Sequence, residues 1–197
     1  MSFELDLTLP QQWYRWDREN EVESSARALD NYLTEHPEFG AARQTLLRLL
    51  LDTWADAADQ GALAAAVLWQ PAPGAAFAAR LFVLAAERKV PGDEPAEIAA
   101  LLDALGTPSP HDLRPRECEP VDLPAGRAVR LRRLTRTGDA NPGEPEMAVE
   151  MVQHWVPVPG GTETVVLAGE TPCVAVADDL AEVFDAIAGS LEVRPTN

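Results

Sequence analysis

The sequence predicts an α+β protein, an antiparallel β-sheet of about six or seven strands with helices packed on its faces. Three observations lead there. Met147, Val149, Met151 and Trp155 alternate with Ala148, Glu150, Val152 and His154, a period of two that predicts a strand with the first set buried. After Pro157-Val158-Pro159-Gly160-Gly161 the chain restarts at Thr162 to Leu167, so the two runs read as an antiparallel pair. From Asp178 onward Leu180, Val183, Phe184, Ile187 and Leu191 recur at three and four residues, which places them on one helix face, and that face needs a sheet to cover.

The rest of the chain supplies the other elements in order. Phe3, Leu5, Leu7 and Leu9 alternate with Glu4, Asp6 and Thr8, a strand closed by Pro10, and the aromatic cluster Trp13-Tyr14-Arg15-Trp16 follows. Val22, Ala26, Leu29 and Leu33 mark an acidic helix with a solvated outer face. A second helix, from about residue 41 to 60, stops at Gly61; its polar stripe, Gln44, Arg48, Asp52 and Asp56, is so narrow that more than one side must be covered. Residues 63–70 and 75–86, split by Pro71-Ala72-Pro73-Gly74, read as a hairpin of central strands, with Phe77, Ala79, Leu81 and Val83 on one face. A short helix over 95–105 opens with Pro95 and carries Glu97 in its first turn. Residues 107–120 hold four prolines and read as a long loop inside one domain of 1–197 rather than a boundary. Arg127 to Thr137 is a further strand, and Gly138 to Pro145 a turn-rich loop.

Bulk composition excludes several classes. Thirty-two acids against sixteen bases give −16, so the average surface repels phosphate backbones and anionic lipid heads; neither nucleic acid nor a membrane surface is an expected partner. No positively charged leader opens the chain, and the longest apolar run, 62–69, is too short for a bilayer, so a cytoplasmic location is expected. Cys118 and Cys173 lie 55 residues apart in neither redox nor zinc spacing and read as free thiols, with Cys173 near the start of the last helix.

No catalytic signature accompanies these elements, and no enzyme activity, cofactor or metal is expected. None of the serines sits in a glycine-flanked elbow. Glu117 and Glu119 flank Cys118, and their charge raises the thiol pKa and suppresses the thiolate. The three histidines, His36, His111 and His154, lie apart, without paired metal-ligand spacing. His154 could serve as a ligand or base, but its spacing favours a hydrogen-bonded sheet histidine. Asp178-Asp179 at the start of the last helix is explained by the helix dipole and by capping.

Two features remain as candidate partner-binding sites. Arg127, Arg130, Arg132, Arg133 and Arg136 put five positive charges on one strand; alternation places Arg130, Arg132 and Arg136 on one face, with Val129 and Leu131 toward the core. Either this is a solvated face neutralised by the protein's own carboxylates, or it docks an acidic partner or an anionic ligand. Trp13, Tyr14 and Trp16 either plug the core at a turn or form a partly exposed contact patch.

The opening Phe3-Glu4-Leu5-Asp6-Leu7-Thr8-Leu9-Pro10 into Trp13, the stretch Val152-Gln153-His154-Trp155-Val156-Pro157-Val158-Pro159, Val165-Val166-Leu167, Thr171-Pro172 and the helix Leu180 to Leu191 resemble actinobacterial proteins of the same pattern. The alanine and proline content and the preference for arginine over lysine also fit a high-GC bacterium. The strand-rich end closed by one helix is similar to the Mog1/PsbP-like group, which includes DcrB-type domains and secretion-effector chaperones. That resemblance implies α/β/α layers and a largely non-enzymatic role in binding or assembly, and it carries over no catalytic residue. The expected function is a non-catalytic cytoplasmic protein-binding module, adaptor or chaperone-like. The rivals are a small-ligand protein or enzyme with a dispersed site around His154 and Arg130, and a homodimer burying the second helix.

Overall fold

A computed structural model describes residues 2–72, 75–88, 93–136 and 147–196. In chain order they form β1 (Ser2–Asp6), β2 (Trp13–Arg15), α1 (Glu21–Glu35), α2 (Arg43–Asp59), β3 (Ala64–Ala72), β4 (Ala75–Glu87) and α3 (Glu94–Gly106). Then come β5 (Glu117–Leu123), β6 (Gly126–Arg136), β7 (Ala148–Pro157), β8 (Glu163–Thr171), α4 (Ala177–Ala188) and β9 (Glu192–Thr196). Seven strands pair antiparallel in the order β2-β3-β4-β8-β7-β6-β5, and β1 pairs with β9 in a separate two-stranded ribbon. The predicted α+β class with helices on an antiparallel sheet is the observed one.

Local chemistry sets the helix ends. After α2 the chain turns at Gly61, whose φ of 67° is open to glycine at no steric cost. There Ala62 N–H donates to Ala57 O at 2.8 Å and Gly61 N–H to Ala58 O at 3.0 Å, a Schellman closure that satisfies two terminal carbonyls. At the start of α3, Asp93 Oδ1 accepts from Ala96 N–H at 3.1 Å, so Asp93 is the cap and Pro95 the second helical residue, not the first.

Two apolar layers sandwich the sheet. On one face Ala66, Leu68, Leu81, Val83, Val152 and Leu167 meet Leu180, Phe184 and Ile187 of α4 and Leu191 just beyond its end, with Phe3, Leu5 and Val193 of the ribbon at the margin. On the other, Val67, Trp69 and Phe82 meet Leu29 and Tyr32 of α1 and Leu50 and Trp54 of α2. The third helix packs against β5, β6 and β7, and the side chains of β6 that point away from α4, Val129 and Leu131, are buried.

Several expectations need correction. The first strand joins the C-terminal strand instead of the main sheet, because β9, which the periodicity did not reveal, offers it a free edge. The aromatic cluster is not a turn: Trp13–Arg15 is an edge strand that pairs with residues 66–68. On β7 the face of Glu150, Val152, His154 and Val156, covered by α4, is the fully buried one, while of the expected set Val149 is buried and Met151 and Trp155 are half-buried; side-chain polarity alone misassigns the strand. The loop expected over 107–120 yields its last residues to β5, which the sequence reading missed. Its remainder is tied down: Leu113 N–H donates to Leu134 O at 2.8 Å and Arg136 N–H to His111 O at 3.1 Å. Arg116 bonds both Asp112 Oδ2 and Leu105 O at 2.7 Å. The turn at Pro73-Gly74 and the loop at Gly138 to Pro145 lie outside the described residues.

The seat of α4 depends on one glycine. Gly169 of β8 stands opposite Leu81 and Val152, and a Cβ built there would lie 2.3 Å from Phe184 Cδ1, so the Phe184 ring rests directly on the strand backbone. Gly169→Ala must displace that ring, and urea unfolding is expected to show a loss of about 1–3 kcal/mol from overpacking. In the Phe184→Leu background the same change should cost clearly less, since the two sites share one space. Equal losses in both backgrounds would show that the ring does not set the constraint.

Candidate functional site

The arginine strand lies beneath α4. Asp178 and Asp185 are seven residues apart, two helical turns, so both carboxylates hang from the same edge of the helix over β6 and β7. Arg130 grips Asp185 with two bonds, Nε to Oδ1 at 2.8 Å and Nη2 to Oδ2 at 3.0 Å, and also lies 3.6 Å from Glu119 on the edge strand. Arg132 Nε donates to Glu150 Oε1 at 2.6 Å, and its Nη2 donates to Asp178. Both arginine side chains keep only 13% of their surface exposed. Arg114 donates to Glu150 as well, so a carboxylate at 1% exposure is held between two guanidiniums.

His154 belongs to the same array. It is buried opposite Arg130 in the sheet, and its Nε2 donates to Asp185 Oδ1 at 2.9 Å. Burial by itself would raise the Asp185 pKa, but the hydrogen bonds from His154 and Arg130 outweigh it and lower the value from 3.8 to about 2. The array thus neutralises itself across the helix–sheet contact. Asp178, expected to cap its helix, instead bonds Arg132, while Val176 occupies the cap position without a side-chain bond. Arg136, on the same alternation, is exposed at the end of its strand.

The aromatic cluster divides between the two cores. Trp13 is 6% exposed and meets Phe184 edge-on at 6.0 Å. Tyr14 and Trp16 turn the other way and are half-buried: Tyr14 lies against Trp69 at 6.1 Å, and Trp16 stacks on Trp54 at 6.3 Å and donates to Glu21 at 3.2 Å. Both cysteines are free. The thiol of Cys118 is pushed up first by burial and then by Glu119, against a lowering by Arg116, so the raised pKa expected from its neighbours holds but burial is its main cause.

A feature that sequence reading did not find is a groove of about 250 Å³ on the α2 side of the sheet. Its walls are Leu49 and Thr53 of α2, Val67 and Trp69 of β3, Val149 of β7 and Pro172 beyond β8. Leu49 is 53% exposed and Met147, also in the lining, 50%. Arg80 and Glu170 close one side: Arg80 Nε donates to Glu170 Oε2 at 2.7 Å, and its Nη1 reaches Asp56 Oδ2 at 3.1 Å. Its sequence signal was the second helix, too apolar all round for one-sided burial.

Comparison with known proteins adds little to these observations. No family model matches the chain, and no curated protein matches it. Among solved structures, that of LpqN, involved in cell envelope biogenesis of Mycobacterium tuberculosis, is similar with a TM-score of 0.48 and 12% identity, over 98% of this chain and 85% of that one.

The Asp185 array makes stability depend on acid. Its folded pKa lies below the ordinary 3.8, so the array's contribution is complete above that value and lost as the pH falls toward 2. Chemical unfolding across this range should show stability dropping, and Asp185→Asn should flatten that part of the curve. An unchanged slope in Asp185→Asn would assign the acid sensitivity to other carboxylates.

Proposed function

We propose that the protein is a non-catalytic protein-binding module, adaptor or chaperone-like, which holds its partner in the groove between α2 and the sheet and serves an assembly or secretion system. The observation that carries this reading is the convergence of Leu49 and Met147, both about half exposed, on one apolar groove. Isolated surface leucines and methionines are common, but two flanking a concave apolar lining with Trp69 at its wall make a surface of the kind partners cover. The groups a dispersed catalytic or ligand site would have used, His154, Arg130 and Arg132, spend their hydrogen bonds on Asp185, Glu150 and Asp178. For the same reason the arginine strand is a poor docking face: a partner would have to displace the last helix's own carboxylates. A binding role also accords with the layered Mog1/PsbP-like group that the sequence resembles. We assign the protein to the cytoplasm as part of this proposal; no helix among the described residues is long and apolar enough to cross a membrane.

The test is affinity purification at low salt from the native host, with wild type beside a Leu49→Ser/Thr53→Arg double variant. Leu49 is exposed and Thr53 half-buried on α2, so the variant should melt at the wild-type temperature. The expected outcome is one protein recovered in stoichiometric amount with wild type and absent from the variant. A partner retained equally by both would remove the groove from the proposal, and recovery of no partner by wild type would overturn it.

A further inference from the structure

The charges around the groove indicate what its occupant carries. Leu49, Asp52, Thr53 and Asp56 fall at three- and four-residue steps on α2, so two carboxylates share the side of the helix that walls the groove. Across from them Glu170 uses Oε2 on Arg80, and its Oε1 accepts no hydrogen bond among the described residues. Three guanidiniums bear on these three carboxylates, and one of them, half-buried Arg133 of β6, shares its charge between Glu170 and Asp112. Arg80 is divided between Glu170 and Asp56, and Arg48 lies 3.7 Å from Asp52 in a pair that is mostly exposed and so weak. The wider field has the same sign: residues 17–60 carry ten acids and four arginines, and the whole chain −16. A second copy of this chain would bring −16 against −16, and anionic lipid or nucleic acid would meet the same repulsion.

We propose, resting on the reading of the groove as a protein-docking site, that its occupant is a basic apolar segment of another protein. One large aliphatic or aromatic side chain of the segment fills the space between Leu49, Trp69 and Val149, and arginines or lysines on either side of it meet Asp52, Asp56 and Glu170. A groove of about 250 Å³ has room for such an anchor and none for a folded element, so the segment lies across the rim and its flanks stay at the charged edge. Burial of the anchor supplies the affinity; the flanking charges supply selectivity and speed of encounter.

The probes are two fluorescein-labelled synthetic peptides with the same Leu-Phe centre, one flanked by arginines and one by glutamates. Binding is read by anisotropy, and its place by the methyl resonance of Met147, assigned with Met147→Leu in a chain of only three methionines. The expected result is roughly tenfold tighter binding of the arginine-flanked peptide at low salt, shrinking toward parity in molar salt, with the Met147 signal shifted by that peptide. Asp52→Asn should narrow the preference by about twofold, and Leu49→Ser should weaken binding of the arginine-flanked peptide without erasing its preference. Equal or tighter binding of the glutamate-flanked peptide with the Met147 signal shifted would overturn the basic partner while leaving the groove as a docking site. If neither peptide moves the Met147 signal, the groove as docking site falls too.

Discussion

The pairing of β4 with β8 is the contact on which the molecule depends. It runs from Arg80 opposite Glu170 to Glu87 opposite Glu163, and it joins an N-terminal unit of β2, β3 and β4 to the C-terminal meander of β5 to β8. The two strands are about eighty residues apart in sequence, so closing this pair carries the largest loop entropy in the sheet, though that cost grows only slowly with loop length. What offsets it is burial on both faces of the seam. On one face the Phe184 ring lies over Gly169, flanked by Leu81 and Val152. On the other Arg80 and Glu170 form a cross-strand ion pair beside Phe82, whose ring lies 5.4 Å from the Arg80 guanidinium. A single missing side chain at residue 169 permits the helix to sit close, and the ion pair on the reverse face fixes the register.

The arginine strand becomes intelligible from the same layering. A guanidinium half buried under a helix loses hydration, and only well-made bonds offset that loss. Arg130 obtains two from one carboxylate, and Arg132 bridges the sheet, through Glu150, to the helix, through Asp178. Their contributions differ. The Asp178 side chain is 90% exposed and its bond is screened by water, whereas Glu150 at 1% would be stranded if Arg114 and Arg132 were both removed. The Phe184 ring over Gly169 and the spacing of Asp178 and Asp185 over Arg132 and Arg130 together hold α4 at one position along the sheet.

Much of this architecture was legible in the sequence, and the misses share a cause. Leu180, Phe184 and Ile187 are buried on the helix face where their spacing put them, Leu191 is buried but past the helix end, and Gly61 ends the second helix as expected. Elements were lost where local pattern carried no amphipathic signal: β5, Glu-Cys-Glu-Pro-Val-Asp-Leu, is an acidic edge strand interrupted by Pro120, and β9 follows its helix after only three residues, Gly189 to Leu191. The buried face of β7 was misread because Glu150 and His154 are polar, and nothing in one strand announces that Arg132 and Asp185 will satisfy them. The groove was illegible for a different reason. It is assembled from α2, β3, β7 and the end of β8, and only the excess of apolar residues on α2 hinted that something remained to be covered.

Surface available to a partner is therefore to be sought among residues the fold has not already used. In a chain of −16, arginine and histidine draw attention as chemical groups, yet an excess of carboxylates gives each arginine many internal partners, and Arg130, Arg132 and His154 found theirs. The carboxylates are in surplus, so the unspent charge at the surface is negative. The unspent apolar area beside α2 lies within that negative field. Apolar attraction sets how strongly such a surface holds a partner, and the surrounding sign sets which partners reach it. The excess acid that repels phosphate backbones would thus also select among proteins able to fill the groove proposed as a docking site.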